Sequence, residues 1–147
     1  MQEIKILFVE GDKIFHYSFE RFVKDNAHPY NYIIAGSVSE AKKSLSTGIF
    51  DVVVINYMLC GASSFDLIEN INLKTSKVII TGSGEEKISL KIANLFAIDF
   101  LIKDVKNKYF NTLHYFIQNS QRLRKRLLNS KKNIKQLNFE HTKKLAK

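Results

Sequence analysis

The stretch from Asp51 to Gly61, DVVVINYMLCG, constrains the fold more than any other part of the chain. Val52, Val53, Val54 and Ile55 are β-branched and run without polar alternation, as a parallel strand buried on both faces requires. In open parallel sheets the working groups lie beyond the carboxyl ends of the strands. Asn56, where the run turns polar, is therefore the first candidate site residue.

The rest of the chain supplies matching elements. Ile4 to Val9 is a second buried strand, closed by Glu10-Gly11-Asp12. Ile14, Phe15, Phe19, Phe22 and Val23 fall at helical spacing, and Pro29 and Asn31 end that helix. Tyr32 to Ala35 is a strand, and Ser39, Glu40, Ala41 and Leu45 begin a helix that stops at Gly48. After the central strand, Phe65, Leu67, Ile68 and Ile71 predict a third helix, capped by Ser63 or Ser64. Val78 to Thr81 is a strand, Gly82-Ser83-Gly84 a loop, Glu85 to Phe96 a helix, and Ile98 to Ile102 a fifth strand ending at Lys103. Such alternation implies a parallel sheet with helices on both faces.

At 147 residues the chain holds one ordinary domain and an appendage. Its single cysteine forms no internal disulfide, and no apolar run reaches the length of a membrane span. With no signal-peptide pattern at its start, a reducing cytoplasm is the expected compartment. The net charge of +9 is unevenly placed. Residues 118–147 hold ten basic side chains against one acid, Glu140, which accounts for the whole surplus, so residues 1–117 are neutral. A domain over 1–117 and a basic helical extension over 118–147 therefore need separate explanations.

With acids after the first strand, Asn56 after the third, Thr81 after the fourth and DFLIK from Asp99 to Lys103, residues 3–117 resemble the receiver domain of bacterial two-component response regulators. The resemblance implies a flavodoxin-like (βα)5 doubly wound parallel sheet, strand order 2-1-3-4-5, here followed by an extended C-terminal helix. It places the acid pair on Glu10 and Gly11, the phospho-acceptor on Asn56, the phosphate-contacting hydroxyl and lysine on Thr81 and Lys103, and the switch aromatic on Phe100. By type alone Asn56 is a loop residue at a strand end; the surrounding pattern makes it a former acceptor position.

Two of these positions do not suit phosphoryl transfer. An acceptor must be a carboxylate, since an ionised oxygen both attacks phosphorus and helps hold the cation. Gly11 offers no side-chain ligand, so the magnesium ion that the family uses loses two anionic contacts; Asp12 is at most a weak substitute for one. Cys60, Ser64 and Asp104 also depart from the usual proline, glycine and proline. The expectation is a pseudo-receiver without cofactor, metal or enzymatic activity. It would bind signalling proteins such as a histidine kinase or an effector domain, with Glu10 and Asp12 as an acidic pocket neutralised by Lys103. The alternative, a phosphorylatable receiver carrying an Asp-to-Asn exchange at Asn56, leaves Gly11 and Cys60 unexplained. Cys60 is either an inert loop thiol or a redox-sensitive one. His16, His28, His114 and His141 have no metal-ligand spacing and read as surface or interface residues.

From Lys106 a helical pattern meets no Pro or Gly before Lys147. Tyr109, Phe110, Leu113, Phe116 and Ile117 belong on the sheet. Beyond them, a 4,3 spacing through Phe116, Ser120, Leu123, Leu127, Ser130, Ile134, Leu137, His141 and Lys144 predicts a short coiled coil over 116–137, frayed afterwards. Three uses stay open: a signalling helix that forms a homodimer, salt-dependent nucleic-acid binding through 118–147, and an anionic membrane surface.

Overall fold

Five parallel strands form one sheet in the order β2-β1-β3-β4-β5. In chain order the elements of the computed structural model are β1 (Ile4–Val9), α1 (Lys13–Asp25), β2 (Tyr30–Ala35), α2 (Val38–Thr47), β3 (Val52–Asn56), α3 (Ser64–Glu69), β4 (Ser76–Thr81), β5 (Asp99–Ile102) and α4 (Tyr109–Leu145). The structure describes residues 3–57, 64–72, 74–82, 87, 90–91, 94 and 99–146. The helix expected over Glu85–Phe96 therefore lies mostly outside the described residues. Lys87, Leu90, Lys91 and Asn94 within it are helical and exposed.

Alternation of side chains across the pleat divides the core in two. Ile6, Phe8, Val52, Val54, Val78, Ile80 and Leu101 point to one face, where Phe15 and Phe19 of α1 and Tyr109, Phe110, Leu113 and Ile117 of α4 cover them. Leu7, Val9, Val53, Ile55 and Ile79 point to the other, against Ala41 of α2, Leu67 and Ile68 of α3, and Phe50. Every residue of β3 is buried, as its unbroken apolar run requires. The aromatic side chains concentrate on the first face. Phe8 and Phe19 have ring centroids 4.0 Å apart, and Phe19 and Phe110 5.8 Å.

Element ends differ from the sequence reading where local hydrogen bonds decide them. Helix α2 starts at Val38 rather than Ser39, because the Ser37 hydroxyl accepts from the Glu40 amide at 3.1 Å while Glu40 Oε2 accepts from the Gly36 amide at 2.7 Å. Ser64 opens α3 as a helical residue, and Ile71 is buried beyond its end rather than within it. Strands β2 and β4 begin two residues earlier than their apolar cores, paired through Tyr30 with Ile4 and Ser76 with Val52. Helix α4 begins at Tyr109 rather than Lys106. Asn107 sits in the left-handed region with φ 55°, and the Asp104 carboxylate accepts from the amides of Lys108 and Tyr109 at 3.1 and 2.9 Å. At its other end α4 continues to Leu145 without the expected fraying after residue 137, in keeping with a stretch free of Pro and Gly.

Candidate functional site

The ladder register brings the candidate residues to one edge of the sheet. Val9 lies beside Ile55, Asn56 beside Ile80, and Thr81 beside Ile102. One further bond past each outer pair continues the order: the Glu10 amide donates to Ala35 O at 2.9 Å and the Lys103 amide to Thr81 O at 2.8 Å. Glu10, Asn56 and Thr81 are consequently buried polar side chains at strand ends, with Glu10 only 3% exposed. A carboxylate so placed must be paired or neutralised.

It is paired from several sides. Asn56 Nδ2 lies 2.8 Å from both Glu10 oxygens. Lys103 Nζ donates to Glu10 Oε2 at 2.7 Å, and the Asp12 amide donates to Oε1 at 3.1 Å. These are charge-assisted bonds in a partly dry site, where they are shorter and stronger than neutral ones. The Lys103 ammonium also lies 5.1 Å from the centroid of the Phe15 ring, whose π face favours a cation. Behind it the Tyr109 phenol is pushed well above its ordinary range, first by burial and then by the charges of Glu10, Asp104 and Asp12.

The expected acidic pocket is thus built differently from the sequence reading. Glu10 belongs to it, but the Asp12 side chain instead caps α1, its Oδ1 accepting from the Ile14 amide at 2.8 Å. Thr81 is fully buried beside the site, and its hydroxyl donates to Gly82 O at 3.3 Å. Phe100 is half-buried against the second core face. Cys60 lies outside the described residues.

Two contributors escaped the sequence reading. Phe15 reads in sequence only as a helix-face core residue, yet its ring faces the Lys103 ammonium. His16 brings Nε2 to 2.6 Å from Glu10 O, and since a carbonyl only accepts, that nitrogen carries the proton. The helical register puts both one turn from the Asp12 cap, which is the signal that could have found them.

Magnesium is the ion the resemblance implies, and the donor set does not fit it. A magnesium ion demands near-octahedral oxygen ligands with anionic character. Both Glu10 oxygens already accept from Asn56 or Lys103, Asp12 is committed to its helix, and Gly11 brings no side chain. Among the described residues no group of three His, Cys, Asp or Glu side chains could hold a metal. The depression above the site is small, about 100 Å³, and is lined by Asp12, Phe15, Lys103, Asp104 and Tyr109 among others. A larger cleft of about 370 Å³ lies at the opposite end of the sheet, between Asp51 and the Gln121–Leu128 part of α4, and contains none of the site residues.

A second polar cluster joins α4 to the domain. The His28 and His114 rings stack with centroids 3.8 Å apart, and the Tyr30 hydroxyl is hydrogen-bonded to His114 Nδ1. Burial, and then the neighbouring His114, lower the pKa of His28; burial lowers that of His114. His28 and His114, which read in sequence as surface or interface residues, thus meet at an interface within the chain.

No family model and no curated protein matches the sequence. Solved structures do match. A response regulator receiver domain protein from Clostridium thermocellum superposes with a TM-score of 0.69 at 22% identity, over 85% of this chain and 98% of that one. The fold is that of a receiver domain. The non-phosphorylated HemR receiver domain from Leptospira biflexa matches with a TM-score of 0.64 at 21% identity, over 78% of this chain and 94% of its own. A protein described as an adenylate cyclase from Rhodopirellula baltica matches at 0.71 and 15% identity, over 91% and 98%. The receiver fold accounts for the strand order and for the gathering of Glu10, Asn56, Thr81 and Lys103 at one edge. No helix among the described residues is long and apolar enough to cross a membrane.

Proposed function

We propose that the chain is an atypical receiver module of phosphorelay-type signalling, one that does not accept a phosphoryl group and acts by binding other proteins. The observation that carries this reading is the closed set of contacts on Glu10. The Asn56 amide and the Lys103 ammonium occupy both carboxylate oxygens. In a phosphorylatable site an acidic pair holds a divalent cation, and the cation in turn holds the phosphoryl oxygens. Here the ammonium takes the cation's place, and the amide supplies N–H where a nucleophilic oxygen would be needed. Lys103 is thereby held in one position rather than left to follow a phosphate, so the site has one state and input arrives by another route.

The partners that suit this reading are signalling proteins such as a histidine kinase or a downstream effector domain. Exposed apolar side chains close to the site, Ile14 and Tyr17 on α1 and Val105 after β5, offer contact area of the right kind. Helix α4 leads from the domain core outward and would carry assembly or output.

The deciding experiment is to treat the chain and its Asn56→Asp variant with beryllofluoride and magnesium, and separately with a small-molecule phosphodonor. Amide spectra of the chain as written should not change and its mass should not rise. Saturable beryllofluoride binding or a phosphoryl mass increment on the unaltered chain would sink the reading.

A further inference from the structure

The free part of α4 carries two surface features that call for the same partner. Every residue from Lys125 to Ala146 is exposed, so this length of helix has no contact with the domain that would bury it. Leu123 just before it, and Leu127, Ile134 and Leu137 along it, are each half or more exposed. At about 100° per residue these four, with Ser130, His141 and Leu145, fall within roughly 80° of the helix surface. Cations border that seam on both sides, Arg126 and Lys144 on one, Arg124 and Lys131 on the other. Glu140 is the single acid in 118–147.

Each alternative occupant satisfies only half of this. A nucleic acid would neutralise the cations but leave the leucine seam in water. A membrane-lying helix needs a broad apolar face with its aromatic residues on it, whereas this seam is narrow and Phe139 lies on the far side of the helix. A second copy would bury the seam, but in parallel register it would set Arg126 against Lys131 and lay one surplus of nine positive charges beside another. An amphipathic helix with acids flanking its own apolar seam buries the leucines and pairs the cations together.

We propose that residues 123–145 are a docking helix for an acidic amphipathic helix of another protein, joined to it as a two-stranded coiled coil along Leu123, Leu127, Ile134 and Leu137. The polar seam positions Ser130 and His141 set the register, since an apolar partner residue opposite them gains little. Arg124 marks the inner limit, because it is already paired with Asp51 of the domain at 3.1 Å. This docking does not depend on whether the strand-end site accepts phosphate.

The test uses the full chain and a fluorescein-labelled synthetic helix of about four heptads, with Leu and Ile at the core positions and Glu at the flanking ones. Anisotropy should show saturable binding that weakens at high salt. Binding should fall by about tenfold or more in Leu127→Asn/Ile134→Asn and, independently, in Arg126→Glu/Lys131→Glu, neither of which touches the folded core. Sedimentation of the chain alone should give a monomer. A dimer dissociated by the seam variant would make the partner a second copy and overturn the proposal. Binding that survives the seam variant and is competed away equally by duplex DNA would reduce it to polyanion attraction, and absence of peptide binding at low salt would likewise defeat it.

Discussion

Asn56 is the residue on which the reading of the strand-end site turns, and its effect is electrostatic. Its amide N–H groups face Glu10 at 2.8 Å; an aspartate there would set two carboxylates against each other in a buried site. One of them would then hold its proton to a higher pH in the folded state than in the unfolded chain. A pKa raised by folding gives stability that is present at low pH and lost as pH rises. Asn56→Asp should accordingly be less stable than the parent by about 1–3 kcal/mol near neutral pH, with the deficit shrinking toward about pH 5. Urea denaturation at both pH values measures this. Lys103→Met leaves Glu10 without its cation and should cost about 2–3 kcal/mol; the quarter exposure of the lysine side chain keeps the loss at the low end for a broken buried pair. Residue identities at this site were legible because each sits at the end of an apolar run. The role of Asp12 was not, since an acid after a strand reads equally as a ligand and as a helix cap, and only the Ile14 amide bond separates them.

Among the elements, the strands were the most readable and the helix ends the least. Runs such as VVVI in β3 and ILFV in β1 identify themselves by what they must bury, while helix limits depend on single caps: Ser37 for α2 and Asp104 for α4. Asp104→Ala should lower the unfolding midpoint by freeing the first amides of α4, as thermal or chemical unfolding would show. The stack of His28 on His114 ties α4 to the start of β2 and makes that junction sensitive to pH. Folding lowers both pKa values from their ordinary 6.5. The stability this confers is therefore present above about pH 6.5 and lost as pH falls through the lowered values. His28→Phe keeps a stacking ring that does not titrate. It should unfold within about 1 kcal/mol of the parent at pH 7.5 and show a flatter loss of stability down to pH 5.5. Sequence could not supply this contact, because His28 and His114 are brought together only by the packing of α4 on the sheet.

For the whole molecule, the charge map and the burial map divide at nearly the same place. Residues up to Ile117 build the core, Arg124 makes the last side-chain bond to the domain among the described residues, through Asp51, and Lys125 to Ala146 are exposed throughout. Truncation after Lys125 should therefore leave the unfolding free energy within about 1 kcal/mol of the full chain, whereas truncation before Tyr109 should abolish cooperative folding, as calorimetry would detect. The chain order of strands and helices, the neutral domain with a basic rod, and the candidate position Asn56 follow from the sequence pattern, and the resemblance to receiver domains adds Thr81 and Lys103. Apolar periodicity and charge spacing are local properties, written along the chain. Tertiary structure decided which groups meet. It set Asn56 and Lys103 on the same carboxylate, turned Asp12 to its helix, placed Lys103 over Phe15 and stacked His28 on His114. Those pairings join residues up to 93 apart in the chain, and their distances are fixed by how the sheet twists and the helices pack rather than by any spacing a sequence displays.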